Sequence, residues 1–419
     1  MSLDVYLYGK RIGALHRSGV NDYSFAYAPE VVEDVGRGTV LLSSSLPVRA
    51  EPFSPRATRA YIEGLLPQGD RREAIACELG LDPDDGYGLI AELGGDCLGA
   101  VSFGDPPTVA GDSLSWLTDA ELEELLQPSP EQLFEHSGPR CMRSALPGER
   151  HKLALVYDER ADRWAWPQPG APSTHIVKPE APERPGLVAN EHACTIAYRE
   201  LGLPVAHTSL TTVAGHTCLV SKRFDRWGEG PAAECLHQES FAQALGIAPD
   251  TGGNRLCTGT PGLGEATGLL RAIGEVSAAE TLMRATFCDL LIGCTELRGG
   301  NAALLFGSDG PMLAPLYGIA STEVYGEVRP RPIVIGEDVP LAPLLIDIRH
   351  TIELCGFEFQ PALIEAVSLM APVCSALNAV ADDAEAEGWN EPAVEDAIQI
   401  AISRVKGFRD ESVYLRPRD

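Results

Sequence analysis

The stretch Ser173-Thr174-His175-Ile176-Val177-Lys178-Pro179-Glu180 decides how the rest of the chain is read. It has the character of a strand ending in a lysine. Asn190-Glu191 follows, opening a helix expected over 190–201 with Ala193, Ile196 and Ala197 along one side. A lysine at a strand end and a glutamate on the next helix is the arrangement by which kinase folds hold an ammonium against phosphate. The pair alone does not decide the matter, because a strand-end lysine is equally a solvated surface charge.

Further strands are expected over 152–157 and 219–223, making a sheet with the 190–201 helix docked on it. Towards the N-terminus, residues 3–15 read as two short strands around a Gly9-Lys10 turn, with more alternating apolar runs at Phe25-Ala26-Tyr27 and Val40-Leu41-Leu42. Helical spacing covers 56–66 and 71–79, and Gly94 to Val101 looks like a turn entering a buried strand. From Gly104 to Arg140 the composition turns to Pro, Gly and acid, as a linker does. One helix interrupts it, and its Thr118-Asp119-Ala120-Glu121 start fits a capping box. Beyond Asp225 helical spacing dominates, over 239–245, 280–292, 341–355, 361–381 and 392–405. No internal repeat and no low-complexity tract is seen.

Composition narrows the function classes. A chain of 419 residues, 44% apolar and 22% charged, can bury a large core and is expected to be globular and cytoplasmic. No stretch approaches roughly 20 uninterrupted apolar residues, and the start lacks a basic region leading into an apolar signal core, so no membrane partner is expected. Eleven scattered cysteines, without a Cys-x-x-Cys pair, argue against a disulfide framework and a zinc ribbon. The nine histidines are equally dispersed; His207 and His216, flanking an apolar run, read as structural. A formal charge of −27 opposes direct binding of a nucleic-acid backbone, although a few converging Lys and Arg side chains in a cleft can still invert the local field for a nucleotide.

Several segments gain meaning from their order: Leu65-Leu66-Pro67-Gln68-Gly69, Leu93-Gly94-Gly95-Asp96-Cys97-Leu98-Gly99-Ala100-Val101, Lys152-Leu153-Ala154-Leu155, the 173–179 strand, Lys222-Arg223-Phe224-Asp225-Arg226, His237-Gln238-Glu239, and Leu313-Ala314-Pro315-Leu316-Tyr317. In this order, over about residues 3 to 336, the chain resembles the HipA family of bacterial kinase-fold proteins. The resemblance implies an α+β, two-lobed kinase fold with an N-terminal β-rich subdomain (1–105), a small kinase-like lobe (107–225) and a mainly α-helical C-terminal lobe (226–419). It also implies ATP between the lobes, with Lys178 gripping the phosphates, Glu191 orienting it, and Lys222, Arg223 and Phe224 forming the hinge beside the adenine.

The departures from the family pattern bear on chemistry. Where the family has Gly-Asn-Thr-Asp-x-His-x-Lys-Asn, this chain has Gly293-Cys294-Thr295-Glu296-Leu297-Arg298-Gly299-Gly300-Asn301, with glutamate in place of the catalytic aspartate. One extra methylene displaces a carboxylate by about an ångström or more, and a misplacement of that size costs on the order of a hundredfold in a positioned reaction. The family's metal-binding aspartate is replaced by Gly318, so Asn301 alone makes a poor magnesium site. The phosphate-loop pattern Ser-x-x-Gly-x-Gln-x-Lys becomes Ala145-Leu146-Pro147-Gly148-Glu149-Arg150-His151-Lys152. The serine that family members phosphorylate aligns with Ala145, or with Ser144 if one residue is inserted, and both registers stay open.

Arg298 replaces a histidine, Arg150 a glutamine, and Glu323 stands where the family usually has arginine, so the cleft is re-charged. Three functions remain open. In the first, the chain is a pseudokinase or repurposed kinase-fold protein that binds an anionic small molecule or nucleotide through Lys152, Arg150, Lys178 and Arg298, with Glu296 as a candidate for metal-independent acid–base chemistry. The second is a divergent Mg-ATP-dependent serine/threonine kinase of a toxin–antitoxin module, with Glu323 or another acid recruited to the metal. In the third it is a non-catalytic scaffold whose acidic helical lobe binds a protein partner.

Overall fold

The structure, a computed structural model, describes residues 1–19, 22–106, 114–127, 144–168, 171–248, 262–294, 302–308, 310–327 and 343–412. The chain forms two compact units that do not follow one another in sequence. The first comprises Met1–Pro179, Thr211–Pro261 and Ala303–Ala314; the second comprises Glu180–Leu210, Gly262–Ala302 and Pro315–Asp419.

The first unit opens with β1 (Ser2–Leu7), β2 (Lys10–Arg17) and β3 (Tyr23–Tyr27), followed by α1 (Pro29–Val35), α2 (Pro55–Glu63), α3 (Gly69–Leu79), α4 (Gly86–Leu93) and β4 (Val101–Phe103). The four strands make one antiparallel sheet ordered β3-β2-β1-β4. Alternation places Tyr23, Phe25 and Tyr27 inward, where Phe25 stacks on Phe53 with ring centroids 6.2 Å apart. Ser54 caps α2 ahead of Pro55, whose missing N–H costs nothing in the first turn. Then come β5 (Ser115–Trp116), α5 (Asp119–Leu126), which starts with the expected capping box, β6 (Leu153–Asp158), β7 (Arg163–Trp166) and β8 (His175–Pro179).

After α6 (Leu187–Glu200) of the second unit and β9 (Thr208–Val213), strand β10 (His216–Lys222) completes a sheet ordered β5-β7-β6-β8-β10. Its outer edge is continued by β9, whose last residues belong to the first unit. Side chains of this sheet, among them Leu153, Leu155, Trp166, Val177 and Val220, share one continuous hydrophobic core with Val5, Phe25, Tyr61, Leu65 and Leu93. The N-terminal segment and the sheet that follows it are therefore held by one core.

The hairpin β11 (Arg226–Trp227) and β12 (Glu234–Cys235) is followed by β13 (Gln238–Ser240) and α7 (Phe241–Leu245). The helix expected from Glu239 thus begins two residues later, because Gln238–Ser240 pair with a strand from much further along, Ala303–Leu305. Glu239 is buried and accepts hydrogen bonds from Ser43 Oγ (2.6 Å), Ser44 Oγ (2.7 Å) and Ser44 N (3.1 Å). The expected strand at Val40–Leu42 is instead an irregular loop, whose buried Leu42 and Leu46 imitate alternation and whose backbone meets the Tyr27 hydroxyl.

The second unit is mainly helical. Besides α6 it contains α8 (Leu263–Ala272) and α9 (Val276–Ile292); β14 (Ala303–Gly307) and β15 (Gly310–Leu313) return to the first unit; α10 (Pro343–Cys355), α11 (Phe359–Glu387) and α12 (Pro392–Ser412) finish the second. Helix α6 starts at Leu187, after Gly186, so Asn190 and Glu191 lie at the end of its first turn instead of opening it. Helix α11 is long and apolar enough, by length and composition, to cross a membrane, although polar residues interrupt its apolar run in the sequence. Its Ala362, Ala366, Leu369, Met370, Val373, Leu377 and Val380 are buried, as in a core helix packed on α6, α9, α10 and α12.

Candidate functional site

In the first unit the loop 144–152 is stitched to three earlier segments. Ser144 pairs with Gly94 and Asp96, its hydroxyl donates to Asp96 Oδ2 at 2.8 Å, and Ala145 N donates to the Asp96 carbonyl at 3.0 Å. Arg71 Nη1 donates to the Leu146 carbonyl at 2.7 Å, Lys152 Nζ to that of Pro147 at 2.6 Å, and Gln68 N to that of Gly148 at 3.4 Å. Gly148 adopts φ +96°, and a Cβ there would stand 2.7 Å from the Lys152 ammonium, so any other residue would both strain the backbone and displace the lysine. His151 Nε2 lies 2.8 Å from the Leu125 carbonyl, and its burial holds its pKa below the ordinary histidine value. Three consecutive carbonyls are thus each engaged, and Lys152 and Arg71 bring cationic charge to a loop of a strongly acidic protein.

Beneath the loop sits a buried group of four charges. Asp225 accepts from Arg223 Nε (2.9 Å) and Nη2 (2.7 Å), from Gly99 N (2.7 Å) and from Gln238 Nε2 (2.9 Å). Asp96 accepts from Arg226 Nη2 at 3.2 Å and lies 3.7 Å from Arg223 Nη1. The remaining donors of the two guanidiniums reach Ser173 and the carbonyls of Cys97 and Gly99. Burial opposes ionisation of both carboxyls, but Arg223 and Arg226 outweigh it and hold Asp96 and Asp225 below the usual carboxylate range.

The strand geometry sorts the remaining expected residues. In β8, Lys178 pairs with Leu219 of β10 and shares a half-buried face with Ile176, opposite the buried Val177. Along 222–225 the chain alternates, with Arg223 and Asp225 inward and Lys222 and Phe224 half-buried. Arg223, expected as a hinge residue beside a ligand, is instead buried with every guanidinium nitrogen committed to protein acceptors, so its side chain serves the fold.

In the second unit, Glu191 is buried on α6, and the neighbouring Asn190 exchanges two hydrogen bonds with Ser321 (Nδ2 to O, 3.0 Å; N to Oδ1, 2.9 Å). Helix α9 stops at Gly293 (φ +75°), whose carbonyl accepts from Glu323 N at 3.0 Å; a Cβ there would meet the Glu323 side chain at 2.9 Å. Glu323 is ion-paired to Arg404 of α12, which also donates to the Leu290 carbonyl, a cation at a helix C-terminus. Gly318 follows Ala314-Pro315-Leu316-Tyr317 with φ +67°. Glu296, Arg298 and Asn301 lie outside the described residues.

Family models match two parts of the chain, a HipA N-terminal domain over residues 3–104 and a HipA-like C-terminal domain over 144–357. The chain belongs to the HipA family. Among relatives of this HipA-family chain, the Y4mE protein of Sinorhizobium fredii, whose assignment as a kinase is provisional, is 32% identical over 356 residues, covering 82% of this chain and 83% of the relative. The serine/threonine-protein kinase toxin HipA of Shewanella oneidensis is 24% identical over 343 residues, covering 78% and 76%. The fold matches that of a Shewanella oneidensis HipA solved with HipB and operator DNA, at a TM-score of 0.77 and 18% identity over the whole of both chains. The two-lobed HipA-like fold expected from the ordered motifs is thereby established.

The family implies magnesium, and the described residues do not fit it. Gly318 offers no carboxylate, Glu323 is tied to Arg404, and no group of three His, Cys, Asp or Glu side chains suited to a metal occurs among the described residues. Three participants were not singled out from the sequence. Asp96 lies within the Leu93–Val101 segment, whose sequence gives it no role, whereas Arg71 and Arg404 carry no local signal because their partners are 75 and 114 residues away.

Proposed function

We propose that this HipA-family protein binds a nucleotide or related phosphate-bearing anion at the 144–152 loop and the Lys178 face of β8, and that it lacks ordinary magnesium-dependent phosphoryl transfer. The observation that carries this reading is the engagement of Glu323 by Arg404, which removes the acid best placed in sequence to replace the aspartate missing at Gly318. Lys152 and Lys178 supply charge for phosphate, and the half-buried Lys222, at the end of β10, and Phe224, two residues beyond it, are the hinge candidates for a base. The chemistry assigned from sequence to Glu296 and Arg298 belongs to the same proposal, as does the division of labour among segments 1–105, 107–225 and 226–419. We retain a protein partner and cytoplasmic location, without direct nucleic-acid contact, as parts of it; the charge of −27 favours contact through a partner.

Calorimetric and thermal-shift titrations with ATP, with and without magnesium, test it. The expected outcome is binding whose affinity changes little with magnesium and falls about tenfold or more in Lys178→Met, together with no transfer of labelled phosphate to Ser144 or to a generic protein. Magnesium-dependent tight binding with transfer would favour the divergent serine/threonine kinase instead. In that event loss of the magnesium effect in Glu323→Gln would identify the acid involved. No response to any phosphate ligand would favour the scaffold.

A further inference from the structure

Among the buried cations of the first unit, Arg71 has a singular electrostatic position. Arg72 meets Glu63, Arg223 meets Asp225, and Arg226 meets both Asp96 and Asp225. Arg71 is 7% exposed and has no carboxylate within ion-pair distance among the described residues; its one hydrogen bond goes to the Leu146 carbonyl, and its Nε is buried without a hydrogen-bond partner. His151, on which the Arg71 charge acts, is of the same sign when charged. The acid of the loop, Glu149, lies against Gly69 at the start of α3 and is exposed. Burial alone lowers the Arg71 pKa to about 10, so the group remains a cation at neutral pH, without a counter-charge among the described residues.

A buried charge left unpaired is unfavourable, and among the described residues the first unit keeps one directly behind the Leu146 carbonyl, in a loop whose next residues, Pro147, Gly148 and Glu149, are half-buried to exposed. We propose that Arg71 is a positioning residue for a phosphate-class oxyanion on the outer side of loop 144–152, holding Leu146 in place and gaining its counter-charge only when that anion binds. This rests on the reading of the loop as the anion site, and it adds a contribution from the N-terminal module that the loop sequence does not contain. In a low-dielectric interior the attraction acts through the intervening peptide without direct contact.

The inference separates from a merely structural role by opposite effects of one substitution. In Arg71→Met the unpaired charge is gone, so the thermal midpoint of the ligand-free full chain is expected to be unchanged or higher. Its affinity for inorganic tripolyphosphate is expected to fall at least about tenfold, with loss of the ligand-induced rise in midpoint. Arg71→Lys keeps the charge and should keep most of that rise. Titrations are run at fixed ionic strength, because phosphate-like salts stabilise proteins non-specifically. A lower starting midpoint in Arg71→Met with an undiminished tripolyphosphate response overturns the proposal, as does a wild-type chain with no response. If Arg71→Met does not yield folded protein, the wild-type arginine Nε–H resonance that vanishes in Arg71→Lys decides instead; a shift on tripolyphosphate titration supports the proposal and an unmoved signal overturns it. An ATP arm distinguishes the two readings: tripolyphosphate binding that depends on Arg71 without ATP binding leaves this inference standing and removes the nucleotide from the proposed function.

Discussion

Replacing Asp225 by asparagine is expected to destabilise the first unit by about 3–5 kcal/mol, the usual consequence of removing one partner from a buried ion pair. Asp225 accepts four hydrogen bonds from Arg223, Gly99 and Gln238, and with Asp96 it balances two buried guanidiniums. The amide keeps the shape but turns an acceptor edge into a donor facing donors, and it leaves two cations against one anion. For a unit of this size about 2–4 °C of midpoint accompanies each kcal/mol, so a drop of roughly 6–20 °C is expected by calorimetry. A double-mutant cycle with Arg223→Met should show the pair far less destabilising than the sum of the single changes. The sign of the pH effect follows from the depressed carboxyls. Asp96 and Asp225 ionise more readily folded than unfolded, so their contribution is fully present above about pH 4 and is lost as pH falls through their folded values. Asp225→Asn should therefore show a shallower loss of stability than wild type below pH 4, and equal midpoints for the two proteins at pH 7 would refute the role assigned to the buried charges.

That group of charges also marks where the sequence stops being readable. Period-two alternation identified β1 to β3, β6, β8 and β10, and the Thr118 capping box located α5, because those signals are local to the elements they specify. Motifs in order were enough for the fold, since several weak matches multiply. Alternation failed at Val40–Leu42, where burial of loop leucines gives the pattern of a strand, and spacing failed at Glu239, where a three-residue strand is specified by partners 65 residues away. Lys178 was found at its strand end and Phe224 on an outward position, but Arg223 has the composition of a ligand residue and the surroundings of a core one. Nothing in one sequence says that Asp96, far earlier in the chain, will meet it. For Glu323 the sequence registered a changed charge, and its partner in α12 became visible only in the fold.

Ending the chain after Phe357, where the match to the family's C-terminal domain stops, is expected to abolish folding of the second unit. Helices α11 and α12 lie beyond that limit, yet α11 packs on α6 and α9, and α12 packs on α6, α9 and α11. Their buried Leu369, Met370, Val373, Leu377, Val380, Val394, Ile398 and Val405 would be removed, and the surfaces they cover on α6 and α9 exposed. At about 1.5–3 kcal/mol for each large side chain the loss is on the order of 10–20 kcal/mol, comparable with or above the whole stability of a typical domain. Side-chain ties go too: the Trp389 ring packs at a tilt against His192 of α6 with centroids 5.2 Å apart, and Arg404 joins the Leu290 carbonyl to Glu323 beside Gly293. Arg404→Met alone, which leaves the apolar packing, should cost only about 1–2 kcal/mol. The contrast is measurable by circular dichroism and limited proteolysis. The truncated chain should be insoluble, or lose protease protection over residues 262–292 while Arg404→Met keeps it. A soluble 1–357 chain with wild-type protection and midpoint would mean that the α6–α9 pair is stable without its C-terminal cover.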